Sequence, residues 1–145
     1  MPIHQKRLKP LFRPGIPFLS IQIPTKMEEI VMFDRCIYSE RRHRLKEEIK
    51  SGLALFLGND ESPMNYPDNP FHFRQDSTFL YYFGVDSPGL AAIVDLDGGT
   101  ETIYGNDLTV EDIVWTGPKP TIAERSLAAG VERTGPVTEL EEVLM

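Results

Sequence analysis

Apolar residues along this chain fall into short runs divided by clusters of Gly, Pro, Asp and Asn, and the runs change period as they go. Residues 1–26 hold 5 of the 12 prolines and keep no period for long; only residues 18–23 read as a brief extended piece. These 26 residues read as an irregular N-terminal extension, with Met27 a natural start for the domain behind it. From residue 38 to 51 the pattern turns helical. Ser39 or a residue just before it serves as the cap, Gly52 closes the helix, and the cluster Arg41, Arg42, His43, Arg44 reads as its solvated face. Residues 53–58 (LALFLG) are a continuous apolar run, the pattern of a buried strand. Helix followed by strand points to an α/β fold.

The second half continues the alternation. Residues 66–70 contain Pro67, Asp68, Asn69 and Pro70 and predict a turn. Asp76 or Ser77 is placed to cap a short helix over residues 78–83, which Gly84 ends. Residues 90–96 (LAAIVDL) and 100–104 (TETIY) flank Asp97, Gly98 and Gly99 and predict a β-hairpin. Residues 109–115 form a capped short helix, broken by Gly117, Pro118 and Pro120. Thr121 with Glu124 has the spacing of a capping box and opens a helix that closes at Gly130. A short strand at residues 131–134 and a helix over 137–145 complete the chain.

Composition adds limits. A length of 145 residues suits one domain with a core of its own. The net charge of −7 is uneven: residues 1–50 carry 11 basic and 6 acidic side chains, and residues 51–145 carry 4 and 16. An acidic body argues against nucleic acid as a partner. The basic residues Lys6, Arg7, Lys9 and Arg13 then read as a solvated tail. Cys36 is the single cysteine, which rules out an internal disulfide and a cysteine-based zinc site. With no apolar run of membrane-spanning length and no signal-like N-terminus, the expectation is a cytoplasmic protein without membrane contact.

No catalytic constellation stands out. His4, His43 and His72 are isolated, and no serine sits in a G-x-S-x-G setting. The carboxylates Asp95, Asp97, Asp107 and Asp112 invite a two-metal reading. The run 95–100 (DLDGGT) also resembles the phosphate turn of sugar kinases, yet such kinases need two lobes and about twice this length. The hairpin reading is preferred. Between Phe73 and Phe79, Arg74 is expected to be largely buried and bonded to Asp76 or to backbone carbonyls.

One stretch carries a resemblance. Residues 73–84 (FRQDSTFLYYFG), behind a Tyr-Pro turn, join an Arg-Gln-Asp-Ser core to an aromatic block and a closing Gly. Tyr38 with Arg41 and Arg42 precedes it; Gly105, Asn106 and Asp107, then Trp115 and Gly117, follow it. The order is similar to that of the N-terminal domain of the aminopeptidase P (Xaa-Pro aminopeptidase), prolidase and creatinase family, over residues 27–145. The resemblance implies a mixed β-sheet flanked by helices, of the ribonuclease H-like creatinase type, incomplete at its C-terminus. It implies structural motif positions at Arg74, Gln75, Asp76, Ser77, Tyr82 and Gly84, and places Trp115 on a loop near substrate access. In that family a separate C-terminal domain holds manganese and hydrolyses the bond before proline. No catalytic or metal-binding residue is therefore expected here. The expected role is non-catalytic: shaping active-site access and subunit association, with the catalytic domain and further copies of the chain as partners. The alternatives are a stand-alone interaction module of the same fold and a phosphotransferase or nuclease using Asp95, Asp97 and Asp107.

Overall fold

The computed structural model describes residues 32–66 and 69–145. The extension expected over residues 1–26, and the brief extended piece within it, lie outside the described residues. Nine elements follow one another: α1 (Arg35–Glu48), β1 (Leu53–Leu57), α2 (Ser77–Phe83), β2 (Ala91–Asp95), β3 (Glu101–Tyr104), α3 (Val110–Thr116), α4 (Ile122–Ala128), β4 (Arg133–Gly135) and α5 (Val137–Leu144). The strands form one sheet in the order β1-β2-β3-β4, antiparallel except for the parallel β3–β4 pair. This is the mixed sheet flanked by helices that the resemblance implies.

Most elements begin and end for local reasons. Asp76 Oδ1 accepts the N–H groups of Thr78 and Phe79, and Gly84 (φ 69°) ends α2 in the left-handed region. Thr109 with Asp112, and Thr121 with Glu124, form complete capping boxes on α3 and α4. The Asp97–Gly99 turn joins β2 to β3 as the hairpin pattern requires, with Asp95 N–H donating to Thr100 O.

The core lies on one face of the sheet. Phe79 and Phe83 of α2 pack with Val85, Leu90, Ala92, Val94, Ile103, Ile122, Ala129 and Val131, and Ala54 and Phe56 of β1 close its rim. Only some of the aromatic side chains between residues 66 and 84 are in this core: Tyr66, Phe71 and Tyr81 are exposed. On the opposite face Ala91, Ile93 and Tyr104 pack beneath Leu140 of α5.

Two expectations need correction. Helix α1 starts earlier than the pattern suggests, because Asp34 rather than Ser39 caps it, accepting from Cys36 N–H at 2.9 Å. Strand β1 is not buried on both faces. It sits at the sheet edge, and Leu53, Leu55 and Leu57 on its outer face are exposed at 50%, 41% and 61%. Helix α5 lies over β3, two strands away, and among the described residues this part of the sheet is left uncovered.

Candidate functional site

The motif around Arg74 builds a polar junction, and its centre is Gln75. The side chain of Gln75 is 2% exposed and joins three segments. Its Oε1 accepts the N–H groups of Asn59 (2.7 Å) and Asp76 (3.0 Å), and its Nε2 donates to Ser87 O (2.6 Å) and Val85 O (3.4 Å). A buried amide with every position used ties the end of β1 to both ends of α2. Gly58 permits this approach: a Cβ there would stand 2.9 Å from Gln75 Oε1 and 2.7 Å from Leu90 O. Ser77, in the first turn of α2, is exposed.

Arg74 does not do what its neighbours suggest. Its side chain is exposed and forms no ion pair with Asp76; its carbonyl accepts from Asn59 Nδ2 at 2.9 Å. The carboxylate of Asp76 is turned to the backbone of α2 instead. The reason is the cap: an N-cap side chain must point along the helix axis, away from the residue two positions earlier.

The buried arginine is Arg42, within the cluster that reads as a solvated face. It lies one turn after Tyr38, and these two are the buried residues of α1. Its Nε donates to Glu101 Oε2 at 2.6 Å, Nη1 to Tyr82 O at 2.8 Å, and Nη2 to Gly130 O at 3.3 Å. The last two acceptors lie near the C-terminal ends of α2 and α4, where the helix dipole favours a cation. Burial lowers the pKa of Arg42, and Glu101 opposes the shift. Lys46 Nζ meets the other Glu101 oxygen at 2.8 Å. Arg41 stays at the rim, its guanidinium 4.1 Å from the Tyr81 ring centroid. Glu101 and Gly130 were invisible as partners in the sequence, 59 and 88 positions from Arg42.

Tyr38 and Gly84 meet across the same layer. Tyr38 is fully buried, and a Cβ on Gly84 would lie 2.1 Å from Tyr38 Cζ. Gly84 thus ends α2 and leaves room for α1 to dock on it. Tyr82 lends its carbonyl to Arg42 and sets its ring at a tilt to Phe56, 5.0 Å between centroids.

The Gly105-Asn106-Asp107 segment has a comparable task. It lines an open cleft of about 430 Å³ with Ile122, Thr134, Gly135 and Pro136. Asp107 Oδ1 accepts Ile122 N–H at 2.6 Å, and Asn106 Oδ1 accepts Val137 N–H at 3.4 Å. Both side chains hold the first turns of helices to the end of β3. Asp95 Oδ1 accepts the N–H groups of Asp97 and Gly98, and Asp97 Oδ2 accepts Gly52 N–H. The β2–β3 register puts Asp95 and Asp97 at one end of the hairpin and Asp107 at the other. Among the described residues no group of three or more His, Cys, Asp or Glu side chains is arranged to hold a metal ion. Cys36 is exposed, and its thiol is pushed up by the adjacent Asp34 carboxylate, which disfavours the thiolate.

Trp115 stands apart from all of these contacts. It is 82% exposed on the last turn of α3, a helix rather than a loop, and no residue of α3 is buried. Val110 and Val114 are exposed at 80% and 75%. The helix is held by its own ends: Thr109 Oγ1 donates to Asp112 Oδ2 at 2.6 Å, and Asp112 N–H returns a bond to Thr109 Oγ1. The Thr109 hydroxyl and then its N–H hold the Asp112 carboxyl below its ordinary range.

Comparison with known proteins gives one consistent result. The sequence profile of the aminopeptidase P N-terminal domain matches residues 38–145. A probable Xaa-Pro aminopeptidase of Aspergillus flavus is 31% identical over 93 residues, covering 64% of this chain and 19% of its own. The human Xaa-Pro dipeptidase is 27% identical over 88 residues, 56% of this chain and 18% of its own. The mitochondrial intermediate cleaving peptidase 55 of Arabidopsis thaliana is 26% identical over 107 residues, 74% of this chain and 22% of its own. The chain therefore spans about a fifth of the length of these relatives. Among solved structures, the low-pH form of Escherichia coli aminopeptidase P superposes with a TM-score of 0.66 at 21% identity, covering 78% of this chain and 26% of that one.

Proposed function

This chain belongs to the aminopeptidase P N-terminal domain family, and from that premise we propose that it is the non-catalytic domain of a manganese-dependent Xaa-Pro aminopeptidase. In this reading it shapes access to a catalytic site carried by another domain and takes part in subunit association. The observation that carries the reading is α3. A capped helix that buries none of its own residues and exposes Val110, Val114 and Trp115 is a surface built to be covered. The junctions at Gln75 and Arg42 fix the sheet and helices behind it. The hydrolytic chemistry, and the manganese that activates water for it, belong to the catalytic domain. Asp95, Asp97, Asp107 and Asp112 accept N–H groups of the chain's own backbone, which favours a structural role for them over the phosphotransferase or nuclease alternative. The cytoplasm suits a chain whose single cysteine needs no oxidising compartment. Among the described residues no helix is long and apolar enough to cross a membrane.

The test is kinetic. The purified chain alone is expected to hydrolyse no Xaa-Pro peptide in the presence of manganese. Residues 32–145 are then grafted in place of the corresponding part of Escherichia coli aminopeptidase P. In that hybrid, Trp115→Ala is expected to raise KM several-fold with kcat little changed, as loss of a substrate-access contact would. Turnover by the chain alone, or identical kinetics with and without Trp115, contradicts the proposal.

A further inference from the structure

We propose that the free edge of β1 is a self-association seam, at which a second copy of this chain adds its own β1 antiparallel across a two-fold axis. This gives the subunit association proposed above a surface, and it does not depend on where α3 docks. The hydrogen-bond parity of the strand sets which groups are free. Gly58 N–H donates to Leu90 O and Leu96 N–H donates to Gly52 O, so the even-numbered residues of β1 face β2. The N–H and C=O groups of Leu53, Leu55 and Leu57 point the other way, along an edge that is open among the described residues. The next outward N–H, that of Asn59, is taken by Gln75 Oε1 at 2.7 Å. The buried glutamine thus ends the free edge after three residues.

The same three residues carry the exposed apolar side chains. Protected edges bear a charge, a proline or a bulge. Residues 53–57 have none of these: they are all apolar and pair with β2 without interruption. Pairing centred on Leu55 brings all three edge residues of each copy into register, Leu55 on Leu55 and Leu53 on Leu57, with six backbone hydrogen bonds in prospect. In this register the residue numbers of opposed positions add to a constant, so Lys50 of each copy comes opposite Asp60 of the other. Both are exposed, and neither forms an ion pair among the described residues. The seam is therefore self-complementary in hydrogen bonding, in apolar surface and in charge. It is narrow beside a standard interface, so the dimer should form reversibly in the micromolar range or above.

The experiment uses the full chain. Its mass by light scattering is followed over a concentration series, with amide hydrogen exchange at Leu53, Leu55 and Leu57 read on the same samples. The expected result is a mass rising toward that of a dimer, with exchange at these amides slowing as it rises. Leu55→Pro removes an outward N–H that the monomer does not use, so it should melt like the parent and stay monomeric. Lys50→Asp and Asp60→Lys should each weaken association several-fold, and the double exchange should restore it. A monomer at every concentration overturns the proposal. So does protection that is independent of concentration, which would mean that the chain's own residues 18–23 occupy the edge. A Leu55→Pro protein that still dimerises overturns it as well. None of these variants alters α3, so a failure here leaves the kinetic test of Trp115 intact.

Discussion

At the residue scale the chain separates two arginines that look alike in sequence. Arg42 is fully buried and reaches Glu101, Tyr82 and Gly130; Arg74 is exposed. Removing Arg42 leaves Glu101 with Lys46 as its remaining ion-pair partner and takes the buried guanidinium away from two carbonyls. Arg42→Ala should therefore cost about 3 kcal/mol or more, at the lower end for breaking a buried pair. Arg74→Ala should stay within about 0.5 kcal/mol, as surface substitutions do. Denaturant titration of the two variants against the parent reads both values, and equal shifts would contradict the assignment. The expectation from sequence was the reverse. It rested on Asp76 being two positions from Arg74, but a capping carboxylate is committed to its own helix. What did point to Arg42 was its i,i+4 spacing from Tyr38, a weak sign inside a run of four basic residues. Its acceptors lie 40 to 88 positions away, and no local pattern announces them.

At the element scale, caps and turns were legible because their chemistry is local. Asp76, Gly84, the Thr121–Glu124 box and the β2–β3 turn all sit where residue type and spacing put them. Sheet position was not legible. LALFL reads as a strand buried on both faces, yet burial depends on which helix crosses it, and α5 crosses β3 instead. Helix α3 gives the clearest element-scale prediction, since among the described residues none of its side chains is buried and its capping box is its main anchor. Asp112 is shifted down in the folded chain by the Thr109 hydroxyl and N–H. A depressed carboxyl stabilises the fold fully above its unfolded pKa, and the contribution is lost as pH falls through the lower folded value. Helix α3 should therefore fray below about pH 4, the unfolded aspartate value, while the core helices persist. Amide NMR signals of residues 109–113 followed through an acid titration read the change. In Asp112→Asn the step should vanish; a step that survives would assign it to another group.

At the scale of the whole molecule, α2 and α4 pack on one face of the sheet and α1 docks on α2; among the described residues two apolar surfaces stay open, the edge of β1 and the side of α3 that carries Val110, Val114 and Trp115. The fold gives several of the motif residues a structural task. Gln75 holds segments together, Gly84 admits Tyr38, and Asn106 and Asp107 hold helix ends. Trp115 holds nothing within the described residues. It is also the only tryptophan in the sequence, which makes it its own reporter. The most direct measurement is a fluorine NMR titration of the chain, labelled with fluorotryptophan, against the isolated catalytic domain of an aminopeptidase P. The account predicts a single resonance near the solvent-exposed position that shifts and saturates as the catalytic domain is added, and that stays put when lysozyme is added in its place. A resonance unchanged at saturating catalytic domain would contradict it.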